Sequence, residues 1–138
     1  MLAPACGMEP VPAPVRRIGS YRELLVWQKA MRVAERCCRE AHAFASRGYV
    51  LGTHIQKTAI AIPSNIAEGH ALQTASFRQH VRVALGSAAE LGTQLTLACR
   101  LGLLSDESLM RLAADICEVE RMLRALRSSL SRHLPPAG

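Results

Sequence analysis

Residues 84–107 read ALGSAAELGTQLTLACRLGLLSDE, and this stretch holds the end of one helix, a short link and the start of another. Ala84, Leu85, Ala88, Leu91, Leu95 and Ala98 recur at three- and four-residue steps, which at 100° per residue gathers them on one side of a helix. The pattern stops at Gly102, the residue type that closes helices in the left-handed conformation. It resumes after Ser105, whose hydroxyl can accept from the free amides of a new first turn, and Asp106 and Glu107 then suit the positive end of that helix's dipole. Two helices joined by so short a link are antiparallel neighbours. Outward from this hinge, the upstream helix begins near Thr74 and adds Phe77 and Val81 to its buried side. The downstream helix carries Leu109, Leu112, Ile116, Val119, Leu123, Leu126 and Leu130 as its stripe. The small residues Ala84, Gly86, Ser87, Ala88 and Ala89 read as a close helix–helix contact rather than a phosphate loop.

Two more helices precede this pair. The first opens at Ser20, where SYRE has the form of a capping box, and runs to about Ala45. Leu24, Trp27, Met31, Ala34, Cys38, Ala41 and Ala45 share one face of it, read as the core face. Val26, Val33, Cys37 and Phe44 form a second apolar strip alongside. The next helix opens with another box, THIQ at 53–56, after a loop containing Gly48 and Gly52. Ile55, Ala59, Ile62 and Ile66 make one face and Ile60, Pro63 and Ala67 a second, leaving Lys57, Ser64 and Glu68 as a narrow polar strip. Pro63 predicts a kink or break, since it removes an amide donor and crowds the Ala59 carbonyl, with Ser64 or Asn65 bonding the freed backbone groups. Gly69 is expected to end this helix. The fold class is all-α: an antiparallel up-down-up-down four-helix bundle over 20–132, with no convincing strand. Residues 1–19, with Pro4, Pro10, Pro12 and Pro14, read as a disordered tail in which Met8 is an alternative start, and 133–138 as a second tail.

Composition narrows the function. An apolar fraction of 49% in 138 residues is enough for one real core. The five cysteines, Cys6, Cys37, Cys38, Cys99 and Cys117, lack CxxC spacing and read as small core residues of a reducing compartment, and with no secretory leader or membrane-length apolar run the chain reads as cytoplasmic. The net charge of +6 rests on fifteen arginines against two lysines. Guanidinium groups suit phosphate and carboxylate partners, and a GC-rich coding sequence would supply the same bias.

Three stretches, YRELLVWQKAMRVAE from Tyr21, AIPSNIAEG from Ala61 and the 84–107 run, resemble in order and spacing the four-helix-bundle proteins encoded in bacterial 23S rRNA intervening sequences, a group labelled ribosomal protein S23. The resemblance spans about residues 20–131. It implies a ring-like homopentamer and a relationship to the accessory protein of diversity-generating retroelements, which binds nucleic acid and a reverse transcriptase. It implies no established biochemical activity. One departure falls after Gln56, where members commonly carry two basic residues and this chain has Lys57 and Thr58.

Enzyme chemistry finds no footing in the sequence. Ser64 and Lys57 share a strip, but seven residues of helix separate them by about 10 Å, beyond hydrogen-bond reach. His42, His54, His70 and His80 lack metal-ligand spacing, and Glu68 with His70 reads as a solvated helix end rather than an acid–base pair. The expectation is a non-enzymatic protein with no cofactor and no metal. Arg78, Arg82 and Arg100 fall within about 40° of one another around the third helix, beside the short residues Ala89, Thr93 and Thr96. Arg121, Arg124 and Arg127 add charge on the fourth helix, where Glu118 and Glu120 can pair with Arg121 and Arg124. These six arginines and Lys57 are the candidate nucleic-acid-binding residues, for RNA or DNA. Few aromatic residues are available for base stacking, so binding would be directed at the backbone with little sequence preference. The alternatives are a protein–protein adaptor and a purely structural ring. The second apolar strips, Val26, Val33, Cys37 and Phe44 with Ile60, Pro63 and Ala67, are the expected contacts between copies in the homo-oligomer.

Overall fold

The computed structural model describes residues 19–72 and 74–132. The expectations for the two tails and for Met8 concern residues outside that range. A short 3₁₀ turn, Tyr21–Glu23, precedes four helices: α1 (Leu25–Ala43), α2 (Tyr49–Leu72), α3 (Thr74–Arg100) and α4 (Asp106–Arg132). The described residues contain no strand.

The α3–α4 hinge forms as its sequence dictates. Gly102 takes φ 76°, its amide donates to the Cys99 carbonyl at 3.0 Å, and the Leu103 amide reaches back to the Ala98 carbonyl at 2.9 Å, satisfying carbonyls that the helix end leaves free. Ser105 Oγ then accepts from the Ser108 amide at 3.1 Å to start α4. At the other end of the chain the capping box closes a 3₁₀ turn instead of α1 itself. Ser20 Oγ accepts from the Arg22 amide and Glu23 Oε2 from the Gly19 amide. Leu24 then bends the chain in extended conformation before α1 begins.

α2 departs most from expectation. It starts at Tyr49, ahead of Thr53, whose hydroxyl donates back to the Tyr49 carbonyl at 2.9 Å rather than capping anything. It runs through Pro63 and past Gly69 to Leu72. Asn65 Nδ2 bonds the Ala61 carbonyl at 2.7 Å, not the Ala59 carbonyl that Pro63 deprives of a donor. Gly69 is a packing residue: a Cβ there would lie 2.8 Å from the Cβ of His80 and 2.9 Å from Phe77 Cδ1. α3 therefore crosses α2 at a distance that only glycine permits.

α2 packs against α1 and α3, and α4 against α3 and α1. Across α2 and α3, Asn65 meets His80 while Gly69 meets Phe77. Across α1 and α4, Lys29, Arg36 and Glu40 meet Glu118, Asp115 and Ser108. Residue numbers rise on one helix as they fall on its neighbour. Ile55, Ala59, Ile62 and Ile66 of α2 join Val81, Leu91 and Leu95 of α3 and Leu112, Val119 and Leu123 of α4 in one core.

The α1 strips are exchanged relative to the sequence reading. Val26, Ala30, Val33, Cys37, Ala41 and Phe44 repeat at steps of three and four and are the face buried in the core. Val26, Val33, Cys37 and Phe44 are at most 6% exposed, so they are not available to a second copy. Trp27, Met31 and Cys38, expected in the core, lie half-buried at its edge. On α2 the expected interface residues differ in exposure: Pro63 is buried, whereas Ile60 is 49% exposed and Ala67 half-buried. Gly86 is exposed, with no side chain or neighbouring helix within 4 Å of where a Cβ would lie, so the residues of this small cluster that are buried in the core are Ala84 and Ala88.

Phe44→Asp should destabilise the fold by at least ~3 kcal/mol, because it removes a buried ring and leaves a carboxylate in its place. Ile60→Asp, at a half-exposed position, should cost under ~1 kcal/mol. Urea unfolding followed by circular dichroism reads both, and equal costs would contradict the assignment of the buried strip.

Candidate nucleic-acid interface

Four of the candidate arginines, Arg78, Arg82, Arg124 and Arg127, lie on the turns where α3 begins and α4 ends. Arg78 Nε donates to Ser131 Oγ at 2.8 Å, and that hydroxyl donates in turn to the Arg127 carbonyl at 2.9 Å, tying the first turns of α3 to the last turns of α4. Arg82 lies exposed one turn further along α3. Arg124 reaches back to Glu120 at 3.4 Å. Arg100 shares the angular position of Arg82 but stands at the far end of α3. Arg121 is exposed beside Glu118 at 4.0 Å, and Lys57 is exposed on α2, which packs between α1 and α3 rather than beside α4.

The carboxylates of α4 are sorted to opposite sides. Asp115 and Glu118 turn toward α1, where Arg36 and Lys29 hold them at 3.0 and 2.6 Å. The hydrogen bond from Lys29, with the nearby charges of Lys29 and Arg121, holds the Glu118 carboxyl below the usual carboxylate range. Only Glu120 shares the groove between α3 and α4. That groove, about 680 Å³, is lined by Ala88, Ala89, Gly92, Thr93, Thr96 and Arg100 of α3 and by Leu109, Ala113, Ile116 and Glu120 of α4.

A second groove, about 460 Å³, lies between α1 and α2. Tyr21, Trp27, Met31, Cys38, Ile60, Pro63 and Ala67 line it, with Glu35 and Ser64 at its edge. Tyr21 and Trp27 meet edge to face, 5.2 Å between centroids. The sequence reading named the α2 wall of this groove, Ile60, Pro63 and Ala67, and missed the α1 wall because its large side chains resembled core residues. The usable signal was the run of small residues Ala30, Ala34, Cys37 and Ala41, which mark where a neighbouring helix comes close.

Two of the histidines, His70 and His80, serve the frame. Asn65 commits its amide hydrogen to the Ala61 carbonyl, so its Oδ1 accepts from His80 Nδ1–H at 2.9 Å. Glu68 lies 4.0 Å from His80 rather than pairing with His70, whose ring meets Phe77 edge to face. Among the described residues, no three His, Cys, Asp or Glu side chains converge as a metal set. The four described cysteines are free thiols, and burial pushes Cys37 up to about 12. No helix among the described residues is long and apolar enough to cross a membrane.

Residues 22–125 match the model of the 23S rRNA-intervening sequence protein family. The chain belongs to that family. Its fold is similar to the crystal structure of a protein of unknown function from the S23 ribosomal protein family of Bacteroides thetaiotaomicron, with a TM-score of 0.70 and 22% identity over 75% of this chain and 98% of that one. None of the curated proteins compared with it matches. Within the matched range, the stretch AIPSNIAEG supplies Asn65, Glu68 and Gly69, all three directed at α3.

The Lys29–Glu118 pair has a defined pH dependence. A carboxyl whose folded pKa is depressed contributes stability above its unfolded pKa and loses it as pH falls through the folded value. Lys29→Met should therefore be less stable than wild type at neutral pH, and the two urea midpoints should converge in acid. A gap that persists at low pH would assign the loss to packing instead.

Proposed function

We propose that this 23S rRNA-intervening sequence protein is a non-enzymatic, up-down-up-down bundle that binds the phosphate backbone of nucleic acid through its α3–α4 face. The observation that carries this reading is the sorting of charge. Between residues 74 and 89, α3 carries Arg78 and Arg82 and no acid. The last part of α4 carries Arg121, Arg124, Arg127 and Arg132, while Glu118 is occupied by Lys29 on another side of the bundle. An arginine-rich surface of this kind neutralises phosphates without reading bases, and no aromatic side chain lines the groove beside it. Arg82→Glu, Arg124→Glu and Arg127→Glu combined should lower the slope of log affinity against log salt by about 2 to 3 and weaken unrelated sequences alike, because each lost phosphate contact removes about 0.9 from the slope. Fluorescence anisotropy with random-sequence oligonucleotides measures this, and an unchanged slope would remove the face from consideration.

A second reading, self-association, is favoured by the α1–α2 groove. Trp27, Met31, Ile60 and Ala67 form a continuous apolar surface that Tyr21 extends. A closed ring joins one patch of each copy to a different patch of the next, so this groove would supply one half of each contact. A ring would also repeat the arginine face and could present it to a partner such as a reverse transcriptase. Trp27→Glu with Ile60→Glu should convert an oligomer to folded monomers in multi-angle light scattering at micromolar concentration. Monomeric wild-type protein would exclude this reading.

A further inference from the structure

We infer that the ligand of the α3–α4 face is a duplex at least one helical turn long, engaged at two points by the two ends of α3. This rests on the backbone-binding reading above and narrows it.

Arg82 and Arg100 are 18 residues apart, five full turns at 100° per residue, so they project from α3 at the same angle about 27 Å apart. Arg78 lies about 40° away and extends the span to about 33 Å. One turn of duplex returns a given backbone to the same face after about 34–36 Å, within the reach that an arginine side chain adds at each end. Arg100 has no hydrogen-bond or ion-pair partner among the described residues. The one acid of α3, Glu90, is turned about 80° from the Arg82–Arg100 line, where Gln94 contacts it. Asp106, near the Arg100 end, accepts from the Cys99 thiol at 3.1 Å, and Glu120, which lines the same groove as Arg100, meets Arg124 at 3.4 Å.

Between the two ends, the same arc of α3 carries Ala89, Thr93 and Thr96, side chains too short to reach base edges. A rigid ligand is therefore held at its backbone twice and left unread in between. A flexible single strand gains little from two anchors so far apart, and the groove supplies no aromatic platform on which its bases could stack. Duplex DNA and duplex RNA share the recognised chemistry, a stiff backbone that recurs on one face.

The test measures binding at low salt to duplexes of about 8 and about 16 base pairs, as DNA and as RNA, with single strands of the longer length, since only the longer duplex exceeds one turn. Arg100→Glu should lower the salt slope for the longer duplex by about 1 and leave the shorter one unchanged, whereas Arg82→Glu should lower both. The longer duplex should also bind about tenfold tighter than its single strand in the DNA arm, the RNA arm or both, each phosphate contact being strongly salt-weighted. Equal effects of Arg100→Glu on both lengths, or single strands binding as tightly as duplexes, would overturn the two-point duplex while leaving the backbone reading in place. Failure of every oligonucleotide to bind would remove both.

Discussion

The closeness with which α3 crosses α2 at Gly69 governs the arrangement of everything else. With hydrogen as its only side chain, position 69 lets Phe77 and His80 rest directly on the α2 backbone, and any larger residue would meet a Cβ and a ring edge at under 3 Å. Held there, His80 reaches Asn65 and Phe77 reaches His70. The buried stripe of α3 from Val81 to Ala98 then lies on α2 along its length, and the opposite flank of α3 is free to receive α4. A wider crossing would loosen the packing of Phe77 and His80 on α2. The charged surface lies on the other flank of α3, beside α4.

That surface follows from a division of labour within α4. One of its flanks faces α1 and keeps its acids there, neutralised by Lys29 and Arg36. The flank toward α3 carries arginine and short side chains with one acid, Glu120, which Arg124 meets at 3.4 Å. Exposed ion pairs of this kind contribute little to stability. Their effect is on position: they hold Asp115 and Glu118 away from the face that α3 shares with α4. Opposite that face, the α1–α2 groove is apolar and carries a single carboxylate, Glu35, at its edge. One bundle thus offers two surfaces of contrasting chemistry on different pairs of helices.

How much of this the sequence discloses depends on how local the cause is. Gly102, Ser105 and the stripes of α3 and α4 act within a few residues, through a backbone conformation, a cap and a period, and they read directly. The family is legible for the same reason, in three stretches that keep their spacing. The start of α2 is not legible, because Thr53 offers a hydroxyl that serves equally as a cap or as a bond to the preceding turn, and only the chain's path decides. Gly69 looks like a helix terminator unless Phe77 and His80 are known to lie above it. The α1 strips were exchanged because two adjacent apolar faces satisfy one period, and side-chain size misleads: Trp27 and Met31 fill a rim while Ala30 and Ala41 sit deepest. The arginines could be placed on an arc from sequence, but the pairing of Arg78 with the end of α4 and the turning of Asp115 and Glu118 toward α1 are tertiary facts.

α2 itself is a conditional helix. It holds Gly52, Pro63 and Gly69, together with Val50, Thr53, Ile55, Thr58, Ile60, Ile62 and Ile66, residue types that give up backbone entropy, an amide or rotamer freedom when wound into a helix. Isolated helices of good formers are already marginal in water, so this segment has no tendency to wind alone. Its order is lent by the walls of α1 and α3 on either side. Taking away either wall would remove support from the segment that the other wall rests on, so the bundle is expected to unfold as one cooperative unit in which the least helical sequence joins two stronger helices.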